Sequence, residues 1–358
     1  MKSRVQHQRR SRGPRRSAPA AWFLRALAAL PLLLASACGD TDTYPATWTD
    51  PRSDYARTLW DLQQLTNVLG VGVGVIVFLV LGYIMVRFRY RPGQPDPKQI
   101  HGSTRLELTW TLIPALLLAI IAVPTVRVIF ATQQPAPPNA LTIDVVGWQW
   151  WWEFKYPIAE GDTVITANEI HVPVGTPIEL RMTSADVIHS FWVPQMFGKR
   201  DVIPNRINRI NFTPEVPGLY YGVCVEFCGE SHALMRFRLI AHSPEGFQQW
   251  LENERRPAAE PLPTDSAVIR GQQLATAGTC AGCHIIEGTP AQFGRAGPSL
   301  THFGRRRTLA AGILENNAEN LAAWLRNPPA MKPGARMPNL NLSEEEISYL
   351  VAYLQTLY

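Results

Sequence analysis

The stretch Cys224-Val225-Glu226-Phe227-Cys228-Gly229-Glu230-Ser231-His232-Ala233-Leu234-Met235 places two thiols, an imidazole and a thioether within twelve residues. A second imidazole, His189, stands upstream. Soft thiolate and thioether donors combined with imidazole suit copper. A mononuclear blue-copper site needs one cysteine; here a second follows four positions on, so two sulfurs can each bridge two metals. The set reads as a binuclear copper centre. The alternative is a structural Cys2His2 zinc site, which takes the same ligand types. That alternative leaves Met235 without a role and finds no second short ligand pair at His189.

Around this stretch, residues 140–241 follow a period of two. Ile178, Leu180 and Met182 alternate with Glu179, Arg181 and Thr183, and Met235, Phe237 and Leu239 alternate with Arg236 and Arg238. Short alternating runs punctuated by Pro and Gly predict a β-sandwich. The words flanking the donors, Asp186-Val187-Ile188-His189-Ser190-Phe191-Trp192-Val193-Pro194 and Pro217-Gly218-Leu219-Tyr220-Tyr221-Gly222, resemble those of subunit II of cytochrome c oxidase. The resemblance runs from about Trp60 to Ala241 and implies a cupredoxin-like sandwich over 131–241. It also implies two copper ions held by His189, Cys224, Cys228, His232, Met235 and the backbone carbonyl of Glu226. The Glu226 side chain would share a magnesium ion with subunit I, a hard cation suited to carboxylate oxygen.

Toward the amino terminus, two apolar runs, Leu65–Met85 and Leu108–Val126, are long enough to cross a ~30 Å hydrocarbon layer as helices. Pro114 and Pro124 are tolerated in such a helix. A two-helix transmembrane hairpin is expected over 65–130. The intervening 87–107 carries Arg87, Arg89, Arg91, Lys98 and Arg105 against Asp96 and Glu107, which makes it cytoplasmic by the positive-inside rule. Residues 38–64 and everything after the hairpin then face outward. Thr104-Arg105-Leu106-Glu107 reads as a capping box, and the resemblance gives Glu107 a second role at the mouth of a proton channel.

The formal charge of +5 invites a nucleic-acid partner, but residues 1–37 hold eight Lys and Arg and no acid, so the remainder carries −3. The basicity belongs to a leader, with an apolar core from Ala26 to Leu34 and small residues before Cys38. Leu34-Ala35-Ser36-Ala37-Cys38 resembles a bacterial lipoprotein processing site, which would lipidate Cys38. The alternatives are a plain cleaved signal and an uncleaved anchor. Localisation in a bacterial plasma membrane, working domains outside, follows.

Residues 242–263, with Pro257, Pro261 and Pro263 among charges and alanines, read as a linker, leading to a helical domain over 264–358. There, Cys280-Ala281-Gly282-Cys283-His284 is a c-type haem attachment motif, with His284 as an axial iron ligand. Gly297-Pro298-Ser299-Leu300 and Lys332-Pro333-Gly334-Ala335-Arg336-Met337-Pro338 resemble class I cytochromes c, and this likeness makes Met337, not Met331, the sixth ligand. Met–His ligation leaves no open position and suits electron transfer. Ser343 to Glu346 is a capping box opening a last helix. The five cysteines are thereby assigned with no disulfide.

Subunit II fused to a cytochrome c resembles the caa class of haem–copper oxidases. The fold expected is multi-domain: transmembrane helical hairpin, cupredoxin-like sandwich, all-α cytochrome. The resemblance implies an electron-input subunit. A soluble cytochrome c or similar periplasmic donor feeds the haem, the copper pair follows, and oxygen is reduced in subunit I, with subunit III also a partner. No catalytic residue is expected in this chain. Within Trp148–Trp152 the resemblance matches Trp150 to an electron-input position; an interfacial belt or core packing is the alternative. Rival functions are the electron-input subunit of a copper-containing nitric oxide reductase and a copper chaperone or sensor.

Overall fold

The computed structural model describes residues 46–158, 161–262 and 264–358; the leader and the Cys38 assignment lie outside them. Helix α1 spans Asp54–Arg87 and α2 spans Thr104–Thr132. Ser53 caps α1, its hydroxyl accepting from the Ala56 amide at 3.1 Å and donating to the Met196 carbonyl. The Thr213 amide donates to the Asp54 carboxylate at 2.7 Å, so the first turn of the helix is fastened to the sandwich. Both helices leave their Val, Leu, Ile and Phe side chains outward, Phe78 at 74% exposure among them. Such surface needs lipid or partner helices to cover it. The capping box expected at Thr104 does not form. Ser103 takes the N-cap place and makes no side-chain cap bond, and Thr104 is already the first helical residue.

Ten strands follow: β1 Leu141–Trp148, β2 Trp151–Pro157, β3 Thr163–Ala167, β4 Glu169–Pro173, β5 Ile178–Ser184, β6 His189–Trp192, β7 Arg200–Val202, β8 Asn208–Phe212, β9 Gly218–Cys224 and β10 Arg236–His242. They form two five-stranded sheets, ordered β3-β2-β1-β5-β8 and β4-β10-β9-β6-β7. Most pairings are antiparallel, but β1 pairs β5 and β4 pairs β10 in parallel. The alternation seen in the sequence becomes the packing: Ile178, Leu180 and Met182 are buried while Glu179, Arg181 and Thr183 lie between them half-exposed. Trp152, Phe154, Phe191 and Phe237 fill the space between the sheets in edge and stacked contacts of 4.2–6.1 Å.

Where a linker was expected from 242, the chain forms helix α3, Pro244–Glu254, and its Phe247 and Trp250 belong to the sandwich core. Trp250 stacks on His171 at 4.2 Å, and His171 Nδ1 lies 2.8 Å from His242 Nε2. The helical domain contains α4 Ser266–Ala277, strands β11 Thr308–Leu309 and β12 Leu314–Glu315, then α5 Ala318–Arg326, the single turn α6 Pro328–Met331 and α7 Glu344–Leu354. The capping box of α7 is complete, Ser343 and Glu346 bonding reciprocally. Helix α7 crosses α4 at Gly271, where an added Cβ would stand 2.0 Å from the Tyr349 carbonyl oxygen. Alanine would improve helix propensity by only about 1 kcal/mol, whereas the backbone clash forces the helices apart at about 1–3 kcal/mol. Gly271→Ala is therefore expected to lower the denaturation midpoint of this domain; an unchanged or raised midpoint in a denaturant titration would contradict the crossing.

Candidate metal centre and haem cavity

The sandwich gathers the sulfur and imidazole donors at one end. His189 opens β6, Cys224 closes β9, Cys228 lies in the following loop, and His232 and Met235 sit in and just after a single 3₁₀ turn before β10. Strand pairing sets the first two side by side, because Phe191 is in register with Cys224. Loop backbone bonds Val225 N–H to Ser190 O (3.0 Å) and Cys224 N–H to Met235 O (3.1 Å) close the structure around them.

The sulfurs of Cys224 and Cys228 are 3.8 Å apart and not bonded to each other. Cys224 Sγ lies 3.9 Å from His189 Nδ1, and Cys228 Sγ lies 3.6 Å from His232 Nδ1 and 3.9 Å from Met235 Sδ. The Glu226 carbonyl oxygen stands 3.4 Å from Cys224 Sγ, while its side chain points outward and is exposed. His189 is fully buried, and its Nε2 is bonded to Asp186 at 2.9 Å, which leaves Nδ1 facing the thiols. A carboxylate holding the remote nitrogen of an imidazole fixes its orientation and raises its basicity.

Electrostatics favours thiolate. The Cys224 thiol is drawn down to about 4, chiefly by its hydrogen bond with Cys228 and then by His189, against the effect of burial. The same hydrogen bond and burial push Cys228 up, so the pair shares one proton. Burial raises the Asp186 carboxyl, but bonds from His189, the Gln149 amide and the Val187 amide outweigh it and hold the group low. Two thiols, two imidazoles, a thioether and a carbonyl in a buried cluster fit soft, thiophilic ions. The zinc alternative would use four of these donors and leave the thioether idle.

In the helical domain a cavity of about 450 Å³ is lined by Cys280, Cys283, His284, Pro298 and Met337. His284 Nδ1 is 2.7 Å from the Pro298 carbonyl, so Nε2 is the nitrogen left for a ligand. Gly297 passes so close to this ring that a Cβ would lie 2.5 Å from His284 Cε1. The apolar walls, the two cysteines and the bonded histidine fit a covalent haem, and Met337 lines the same cavity. Met331 is not among the lining residues.

The same cavity is bounded by Gln149 and Trp150 of the sandwich. Trp150 Nε1 donates to the Cys228 carbonyl at 3.0 Å, and Gln149 Nε2 donates to the same oxygen at 2.7 Å. Trp150 thus stands between the two donor sets. Glu107 is exposed in the first turn of α2. Sequence reading missed Asp186 as partner of His189, though its spacing of three before that residue was visible. It also gave no role to Gln149, Lys332 and Arg336, although the last two stand in the Lys332–Pro338 stretch that carries Met337. Lys332 Nζ donates to Trp150 O at 2.7 Å, and burial pushes this ammonium down to about 7, against the Cys228 charge. Arg336 bonds Gln149 Oε1 and lies 3.8 Å from Asp186.

These features define a class: one chain carrying a two-helix membrane anchor, a cupredoxin-like sandwich and a c-type cytochrome domain. Family models agree segment by segment. That of the cytochrome c oxidase subunit II transmembrane domain matches residues 47–128, that of its periplasmic domain residues 158–241, and that of cytochrome c residues 268–358. The cytochrome c oxidase subunit 2 of Alkalihalophilus pseudofirmus is 38% identical, over 92% of this chain and 95% of that protein. That of Bacillus subtilis is 35% identical, over 94% and 98%. The quinol oxidase subunit 2 of Bacillus anthracis is 30% identical over 66% of this chain and 81% of its own. The chain belongs to the cytochrome c oxidase subunit II family, in a form that carries its own cytochrome c domain, and is a two-pass membrane protein with a periplasmic domain.

Proposed function

We propose that the chain is the electron-input subunit of a terminal oxidase, taking electrons from a periplasmic donor and delivering them to the oxygen-reducing site of subunit I. The observation that carries this reading is the convergence of two thiols, two imidazoles and a thioether at one end of the sandwich, with the haem cavity beginning at the tryptophan bonded to the Cys228 carbonyl. In this reading His189, Cys224, the Glu226 carbonyl, Cys228, His232 and Met235 hold two copper ions, and Cys280, Cys283, His284 and Met337 hold haem c. Bound there, these groups supply one-electron redox chemistry at low reorganisation. The chain's own residues keep the donors fixed: the sandwich sets His189 against Cys224, Asp186 orients His189, and burial of both cysteines excludes water. Trp150 is the bridging residue between the two sites. The exposed Glu226 carboxylate is the side chain offered to a magnesium ion at the subunit I face, and Glu107 is the proton-uptake carboxylate at the start of α2.

A copper chaperone presents its metal at an accessible site for transfer, whereas Cys224 and Cys228 are only 7% and 3% exposed. A quinol-fed enzyme has no need of the complete sulfur set. The test is oxygen uptake by the membrane complex driven by a reduced soluble cytochrome c. The reading predicts uptake that stops when Cys228 is replaced; uptake unaffected by that change, or nitric oxide as the only acceptor consumed, would overturn it. In the same complex Asp186→Ala is expected to weaken copper binding about 10–100-fold, the usual cost of losing a partner that orients a ligand. Copper retention after graded chelator washes measures it, and retention equal to the parent protein would contradict the orienting role.

A further inference from the structure

The contact between the sandwich and the helical domain contains two buried ionisable side chains, one contributed by each side. Glu169 of β4 is 2% exposed, and its Oε1 accepts from the Arg307 amide (2.8 Å), the Thr308 amide (2.9 Å) and the Thr308 hydroxyl (3.1 Å). Lys332 of the helical domain is 4% exposed and donates to Trp150 O of the sandwich at 2.7 Å and to Ala310 O at 3.3 Å. Between these two points the Arg236 amide donates to Ala311 O at 3.0 Å, and Ser231 Oγ donates to Pro333 O.

A weak, transient contact keeps its charges on a wet rim. Charges taken out of water are tolerated only where hydrogen bonds meet them. Such groups fix register more than they add affinity, because any other orientation leaves one of them unpaired. The connecting segment argues the same way. Trp250 lies in the sandwich core, yet Ala258, eight positions along, lies in the core of the helical domain, with its amide bonded to Glu287 O at 3.0 Å. His302 Nε2 is within 3.0 Å of the Arg256 carbonyl on the same segment. Little chain is left free to act as a tether.

We propose that Glu169 and Lys332 are positioning residues that lock the cytochrome domain onto the copper domain in a single register, so that the two work as one rigid unit and not as a tethered pair that docks for each transfer. Lys332 stands five positions before Met337, so the lock holds the loop bearing that ligand against Trp150. It also closes the Trp150 surface to any separate donor protein, which must deliver its electron at the outer face of the cytochrome domain. That consequence for the donor rests on the function proposed above; the lock itself does not.

The test uses the full chain in detergent, with backbone hydrogen exchange read by mass spectrometry. Glu169→Ala is read over residues 330–337, which Glu169 does not touch. Loss of one partner in a buried charged contact is expected to speed exchange there about thirtyfold, or about 2 kcal/mol at 1.4 kcal/mol per tenfold. Glu169→Gln keeps an acceptor oxygen and should stay near the parent rate. Lys332→Met supplies a second reading: electron equilibration between the two centres should be a single, viscosity-independent phase in the parent and become viscosity-dependent in the variant. Fast exchange at the Arg307 and Thr308 amides of the parent, or 330–337 unchanged in Glu169→Ala, would overturn the lock. A parent protein with slow exchange but no copper signal would instead sink the metal assignment and leave the lock standing.

Discussion

Cys224→Ser and Cys228→Ser will each abolish the two-copper centre while leaving the covalent haem in place. A serine hydroxyl is a hard, weakly acidic donor and does not replace a thiolate toward copper. The two sulfurs stand 3.8 Å apart and each neighbours a different imidazole, so removing either takes away a donor that the two ions would share. The haem cavity belongs to a domain with its own hydrophobic core, made by α4, α5 and α7. Electron paramagnetic resonance and visible spectra of the same sample read both outcomes. A copper spectrum unchanged by either substitution contradicts the assignment.

Met337→Ala is the second large effect expected. Met337 lines the same cavity as His284, and in the proposed reading truncation to a methyl group leaves the sixth iron position without a protein donor. Carbon monoxide should then bind the ferrous haem, and its potential should fall, since thioether ligation raises it. Met331→Ala should do neither, because Met331 belongs to the α6 turn and does not reach the cavity lining. Carbon monoxide binding to Met331→Ala but not to Met337→Ala would reverse the ligand choice.

Much of this was legible from residue types and spacing. The membrane helices announce themselves by unbroken apolar runs, the sandwich by alternation such as Ile178-Leu180-Met182, and the haem site by its five-residue motif. The sulfur loop is compact enough that twelve residues display most of its chemistry. What local pattern could not show was contact across long sequence separation. In the sequence, residues 244–254 fall within the linker marked by Pro257, Pro261 and Pro263 among charges and alanines, yet Phe247 and Trp250 give α3 an apolar face that packs on Tyr156 and His171. The capping box at Thr104 satisfied the sequence rule but lost to Ser103, which occupies the N-cap one residue earlier. In the sequence Glu169 looks like an ordinary surface charge, and Lys332 is only the first residue of the stretch that carries Met337. Only the fold brings them to partners 138 and 182 positions away.

The central claim is that one chain holds a pair of copper ions and one haem, coupled through Trp150. The most direct measurement is metal analysis of the purified full-length protein combined with electron paramagnetic resonance. The account predicts two copper and one iron per chain, with the unpaired electron shared between two copper nuclei; a single zinc in the sulfur loop, or one isolated copper, would contradict it.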